Sequence, residues 1–141
     1  MIVNANNFDP LQILLSSAFQ FFLTGSRYFG DKTPNDHDFF VEDSRELRRF
    51  LEEHRFEYLG IQYADESRLD YVLDENLRGV YRKIHNGVQY DVQIVRSAKV
   101  KNTAQEMICK DSNLRKVYNL LEKKDRTYFW NAIYKIVEMK T

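Results

Sequence analysis

Val80-Tyr81-Arg82-Lys83-Ile84-His85, then Asn86-Gly87, then Val88-Gln89-Tyr90-Asp91-Val92-Gln93-Ile94-Val95 is the stretch on which the fold turns. Both flanking runs alternate, as half-buried strands do. Asn-Gly between two such runs is a strong hairpin signal, because a type I′ turn needs positive φ at both central residues. The second run also carries an acidic residue, Asp91. A carboxylate inside a strand is costly unless it is paired, exposed or metal-bound. Gln89, Asp91 and Gln93 share one face, so that face is polar. Arg82 and Lys83 fall on opposite faces of the first strand, so at most one of them faces a site built on this sheet.

Other elements extend outward from the hairpin. Asp9-Pro10 reads as a helix N-cap followed by proline at the first helical position, with Leu11, Leu14, Leu15, Ala18 and Phe19 at helical spacing. Phe21-Phe22-Leu23 is a short apolar run ending at Gly25-Ser26 and reads as a buried strand. Arg27 to Pro34 reads as a turn or helical turn, and Asp38 to Val41 as a second strand. Ser44 caps a helix that runs to about His54, with Glu46 in its first turn. Phe56 to Tyr63 reads as a third strand, and the polar stretch Asp65 to Glu75 as a loop or irregular edge. After the hairpin, Ala98 to Met139 reads as two or three helices. Leu114, Val117, Tyr118 and Leu121 form one apolar stripe, and Phe129, Ile133, Ile136 and Val137 another. Aromatic residues at such spacing, Tyr128, Phe129 and Trp130 included, are expected to pack rather than to stack on a base. The order implies an α+β domain with a mixed sheet flanked by helices and a helical C-terminal part. A single domain over 1–141 is expected, with a core of about 8–97 and C-terminal helices over about 98–141.

Composition narrows the function classes. At 141 residues and 43% hydrophobic content, the chain suits one folded domain and excludes disorder as a default. The formal net charge of +0 names no partner. The charge is uneven, however. Met1 to Val95 holds ten Lys/Arg and sixteen Asp/Glu, a net of −6, while Arg96 to Thr141 holds eleven and five, a net of +6. Such a basic tail suits either ordinary solvated helix faces or a polyanionic ligand. Cys109 is the only cysteine, which excludes an internal disulfide and a zinc-binding cysteine cluster. No apolar run is long enough to span a bilayer, and no secretory leader pattern is present, so a cytoplasmic protein with no membrane partner is expected.

The chemistry rests on three fragments. In Asp36-His37-Asp38 the two aspartates point to one side of a strand, where two ionised carboxylates repel. A divalent cation relieves that repulsion, and hard oxygen donors suit Mg2+ or Mn2+. His37 then points to the opposite side. Gly25-Ser26 closes the preceding strand, where a glycine lets backbone N–H groups and the Ser26 hydroxyl approach a phosphate. Asp91 is the third fragment. Each has an ordinary structural explanation when taken alone.

Thr24-Gly25-Ser26-Arg27, then Asp36-His37-Asp38-Phe39-Phe40-Val41, then Asp91 in a later strand together resemble the DNA polymerase beta-like nucleotidyltransferase superfamily. The likeness is to its minimal, antitoxin-type or phage-type members. It covers Phe21 to Val41 and Val88 to Val95. His37 and Thr24 stand where the family usually has apolar residues. The resemblance implies a magnesium-dependent enzyme of nucleotidyltransferase-like fold, in which a nucleoside monophosphate passes from a nucleoside triphosphate to an acceptor hydroxyl with release of pyrophosphate. AMP is the expected group, and the acceptor is a protein, RNA or small molecule. It also implies that Asp36, Asp38 and Asp91 are catalytic and hold the metal, and that Gly25, Ser26 and Arg27 hold the triphosphate. Lys99 and Lys101 are further candidate phosphate contacts. The alternative implied is a binding module or antitoxin of the same fold that neutralises a protein partner without turnover.

Overall fold

The computed structural model describes residues 9–30, 36–61 and 73–140. Residues 31–34 of the expected turn, 62–63 of the expected third strand and 65–72 of the expected loop lie outside the described residues.

The hairpin forms as its turn chemistry dictates. Asn86 and Gly87 take φ 51° and 78° between strands β4 (Leu77–His85) and β5 (Val88–Val95). His85 pairs with Val88, and the antiparallel register then sets Lys83 against Tyr90 and Arg82 against Asp91. Strands β1 (Phe22–Thr24), β2 (Asp36–Glu42) and β3 (Glu57–Gly60) complete a five-stranded sheet in the order β1-β2-β5-β4-β3. Among the described residues the one parallel pairing is β2 with β5; the other three are antiparallel. The fold is therefore α+β with a mixed sheet, as the element order predicts.

Period-two alternation assigns the two faces of this sheet separate partners. Phe39, Val41, Tyr81, Tyr90, Val92 and Ile94 face one way and pack with Leu14, Leu47 and Leu51. Those leucines come from helices α1 (Pro10–Ser16) and α3 (Arg45–Glu53), capped by Asp9 and Ser44 as expected. The opposite face begins with Phe22, Phe40 and Val95 under Ala98. It continues into a second core, formed by α2 (Gly25–Phe29), α4 (Ala98–Lys110), α5 (Ser112–Leu120) and α6 (Lys123–Met139). Among the described residues no helix is long and apolar enough to cross a membrane.

Several sequence expectations are corrected. Helix α1 ends at Ser16, so Ala18 and Phe19 lie beyond it, and Leu15 is 62% exposed. Strand β2 starts at Asp36 rather than Asp38, and β4 at Leu77 rather than Val80. The described part of the third strand is shorter than Phe56 to Tyr63: it ends at Gly60, and Ile61 is exposed. In the C-terminal helices the apolar stripes are rotated. Val117 and Ile136 are exposed, whereas Trp130, Ile133, Tyr134 and Val137 form the buried face of α6. Bulky aromatic surface at Trp130 and Tyr134 outweighs Ile136 in setting which side of the helix is buried.

Two polar residues tie α4 to the sheet. The Gln105 amide donates to the Leu23 carbonyl at 2.9 Å, and its oxygen accepts from the Thr24 hydroxyl at 2.9 Å. Lys101, only 4% exposed, donates to Gln93 Oε1 at 3.1 Å and to the Tyr134 hydroxyl at 3.4 Å. Its Nζ lies 4.7 Å from the Trp130 ring centroid and 5.5 Å from that of Phe40. Ring faces stabilise an ammonium there without neutralising it. Desolvation holds the Lys101 ammonium below its ordinary 10.5, opposed by Asp74, which accepts from the Tyr134 hydroxyl.

That shift has a signed consequence. Between the lowered value and 10.5, the unfolded chain binds a proton at Lys101 that the folded chain does not. The Lys101 contribution therefore rises with pH through that window and is flat below it. In urea unfolding at about pH 7 and about pH 10, wild type is expected to gain stability relative to a Lys101→Met variant at the higher pH. Equal pH dependence in the two proteins would contradict the burial of a charged Lys101.

Candidate functional site

Two pairings bring the three sequence fragments together. Thr24 pairs with Asp38 across β1 and β2, and Asp38 pairs with Asp91 across β2 and β5. Paired residues project to the same face, so Asp38 and Asp91 stand side by side. Asp36 precedes them on that face, opposite Gln89. This is the face that α4 covers farther along, where Phe40 and Val95 meet Ala98. Asp36 is exposed and Asp38 half-buried, whereas Asp91 is buried at 5%.

Gly25 combines a left-handed backbone with a close neighbour. It takes φ 70°, and a Cβ built there would sit 2.5 Å from Asp38 Oδ2 and 3.1 Å from Asp38 Cβ. The backbone thus runs directly against the Asp38 carboxylate, a close approach and a left-handed conformation in one residue. Helix α2 starts at this point. Its N-cap residue Thr24 makes no side-chain cap, since its hydroxyl is committed to Gln105. Ser26 follows on the surface. Arg27 turns back toward the start of β2, where its Nε donates to the Asp36 carbonyl at 2.8 Å.

Asp91 is tightly held. Arg82 Nε donates to Asp91 Oδ1 at 2.7 Å and Arg82 Nη2 to Oδ2 at 3.1 Å. Gln89 Nε2 adds a third hydrogen bond to Oδ2 at 3.0 Å. A two-pronged guanidinium–carboxylate pair of this kind is among the stronger charge-assisted contacts. It also satisfies the cost of placing a carboxylate in a strand.

No family model, curated protein or solved structure matches this chain. Asp36 and Asp38 share one face, Asp36 exposed and Asp38 half-buried, and their oxygens suit a hard divalent cation in donor type. Asp91 does not suit one as it stands, because both its oxygens are taken by Arg82. Among the described residues no three His, Cys, Asp or Glu side chains gather as a metal-holding group.

His37 stacks on Tyr90 with ring centroids 4.9 Å apart, on the face opposite the aspartates, as alternation predicts. Burial, and then the nearby Arg27 charge, holds its imidazole below the ordinary 6.5. Lys99 is exposed on α4, but Lys101 is enclosed among Gln93, Tyr134, Phe40 and Trp130, which removes it as a phosphate contact. Trp130 is core, as expected, and Tyr128 is 57% exposed. Arg82 is the site residue missing from the sequence assignment. Its signal was present, since a two-residue Asn86-Gly87 turn pairs His85 with Val88 and so fixes Arg82 opposite Asp91.

Two glycines allow the close approach at Gly25 to be measured. Gly30 takes φ 75° with nothing within 4 Å of an added Cβ, so Gly30→Ala bears only conformational strain of about 1–2 kcal/mol. Gly25→Ala bears the same strain and must also displace the Asp38 carboxylate. Its destabilisation in urea unfolding is expected to exceed that of Gly30→Ala by roughly 1–3 kcal/mol. Equal losses would mean that Gly25 does not abut Asp38.

Proposed function

We propose that this chain is a nucleotidyltransferase. It moves a nucleoside monophosphate, with AMP as the expected group, from a nucleoside triphosphate to an acceptor hydroxyl. The observation that supports the reading is the in-register row Thr24, Asp38, Asp91 with Gly25 packed on the Asp38 carboxylate. Three fragments from separate parts of the chain meet on one sheet face.

In this reaction the acceptor oxygen attacks the α-phosphorus. A bond forms between them, the bond from that phosphorus to the α,β-bridging oxygen breaks, pyrophosphate leaves, and the hydroxyl proton passes to water. The chain's contribution is positioning and charge compensation. The Gly25 and Ser26 backbone and the Ser26 hydroxyl would hold phosphate oxygens, with Arg27 beside them as a fixed positive charge. Asp36 and Asp38 would hold a divalent cation, Mg2+ or Mn2+. Such a cation supplies neutralisation of the triphosphate and a lowered pKa for the acceptor hydroxyl.

The Arg82–Asp91 fork favours a second reading. A carboxylate already neutralised suits a binding module of this fold, one that engages a protein partner without turnover.

Incubating the protein with cell extract, Mg2+ and α-labelled nucleoside triphosphates separates the two. Transfer predicts label on an acceptor together with pyrophosphate release, both reduced by about a hundredfold or more in Asp38→Asn. Release that persists in the Asp36→Asn, Asp38→Asn double variant would overturn the catalytic assignment. Partner capture unaffected by that double variant, without any labelled product, would favour the binding module.

A further inference from the structure

Gln105 is polar yet only 1% exposed, on the buried face of α4. A buried amide is costly unless its donor and its acceptor are both paired. Gln105 meets that condition at the end of β1. Its Nε2 donates to the Leu23 carbonyl and its Oε1 accepts from the Thr24 hydroxyl, each at 2.9 Å. Thr24 is buried as well, and the next residue is Gly25, whose backbone abuts the Asp38 carboxylate. The far end of the same short element is held from α5. Arg115 Nη2 donates to the Phe29 carbonyl, and the Phe29 ring stacks on that of Tyr118 with centroids 4.6 Å apart. Helix α2 has only five residues, and a helix of that length has no stability of its own. Its placement therefore comes from what grips its two ends.

From these contacts we propose that Gln105 is a positioning residue of the candidate site, fixing the Thr24-Gly25 junction against Asp38 from α4. The assignment rests on the nucleotidyl-transfer reading and specifies how that site is held and through which helix it can be regulated. Gln105 touches no reacting group and acts through Leu23 and Thr24. Strand β1 has three residues and pairs with β2, which sets its register but constrains little the direction of the chain beyond Thr24. Two bonds from one planar amide fix both the position and the orientation of that end. An apolar residue at 105 would fill the same space and leave the Leu23 carbonyl and the Thr24 hydroxyl without this partner. The site thereby answers to the C-terminal helices, because a shift of α4 carries the Thr24-Gly25 junction with it.

Affinity of the full chain for α,β-methylene-ATP with Mg2+, read by amide NMR beside thermal unfolding of the same samples, separates positioning from general stability. Gln105→Met keeps the volume and removes both bonds, and is expected to weaken the analogue by about tenfold or more. Leu51→Ala opens the core on the opposite face of the sheet, where Leu51 is fully buried. It is expected to lower Tm while changing the affinity of the folded protein by no more than about twofold. Thr24→Val loses the hydroxyl that Gln105 accepts from, and should weaken the analogue by about threefold more than Thr24→Ser, which keeps it. That pair decides the matter should Gln105→Met not fold. Wild-type affinity in Gln105→Met, or equal weakening in Gln105→Met and Leu51→Ala, would overturn the assignment and leave the nucleotidyl-transfer reading standing. Equal affinities in Thr24→Val and Thr24→Ser would do the same. No analogue bound to wild type would remove both.

Discussion

The parallel pairing of β2 with β5 is the constraint on which the rest of the molecule depends. It joins an N-terminal strand to the far side of a hairpin and aligns Asp38 with Asp91. Because side chains alternate, a slip of one residue would turn Asp36 and Asp38 into the core and Phe39 and Val41 onto the site face. Burial of Phe39 at 2% and Val41 at 3% forbids that slip. The hydrophobic core on one face thus holds the acidic row in place on the other. The fold and the candidate site are two consequences of one register.

The C-terminal helices add a second restraint. Gln105 bonds both the Leu23 carbonyl and the Thr24 hydroxyl, the two residues immediately before Gly25. Lys101 bonds Gln93, two residues beyond Asp91 on the same face. Helix α4 therefore grips the strands on each side of β2 through polar contacts, while Phe22, Phe40 and Val95 pack between them. Buried hydrogen bonds of this kind contribute modestly when made and cost more when half-broken, which favours one docking geometry over others. The position of Gly25 against Asp38 is thus held from the helical side as well as from within the sheet.

Legibility in the sequence followed the range of the physics involved. Local chemistry was readable: the Asn86-Gly87 turn, the Asp9 and Ser44 caps, and His37 facing away from its two aspartate neighbours all depend on a few consecutive residues. The approach of Gly25, Asp38 and Asp91 was expected only through a family resemblance. Pairing between strands distant in sequence leaves no mark in spacing alone. Lys101 was misplaced because a lysine is read as solvent-facing. Yet Lys101, Ala104, Gln105 and Ile108 share helical spacing and are all buried, so the phase of the helix carried the answer that residue type obscured. Arg82 enters the sequence reading only as one of two basic residues on opposite faces of its strand. The two-residue turn pairs His85 with Val88 and so sets Arg82 opposite Asp91, a partner that the face pattern alone does not name.

The central claim is that the row from Gly25 through Asp38 to Asp91 is a nucleotide site. Backbone amide NMR of the full chain, titrated with Mg2+ and a non-hydrolysable nucleoside triphosphate analogue, tests this most directly. The account predicts saturable shifts concentrated at Gly25, Ser26, Arg27, Asp36 and Asp38, with the Phe39–Tyr90 face unmoved. Shifts absent at these residues, or centred on α1 and α3 across the sheet, would contradict it.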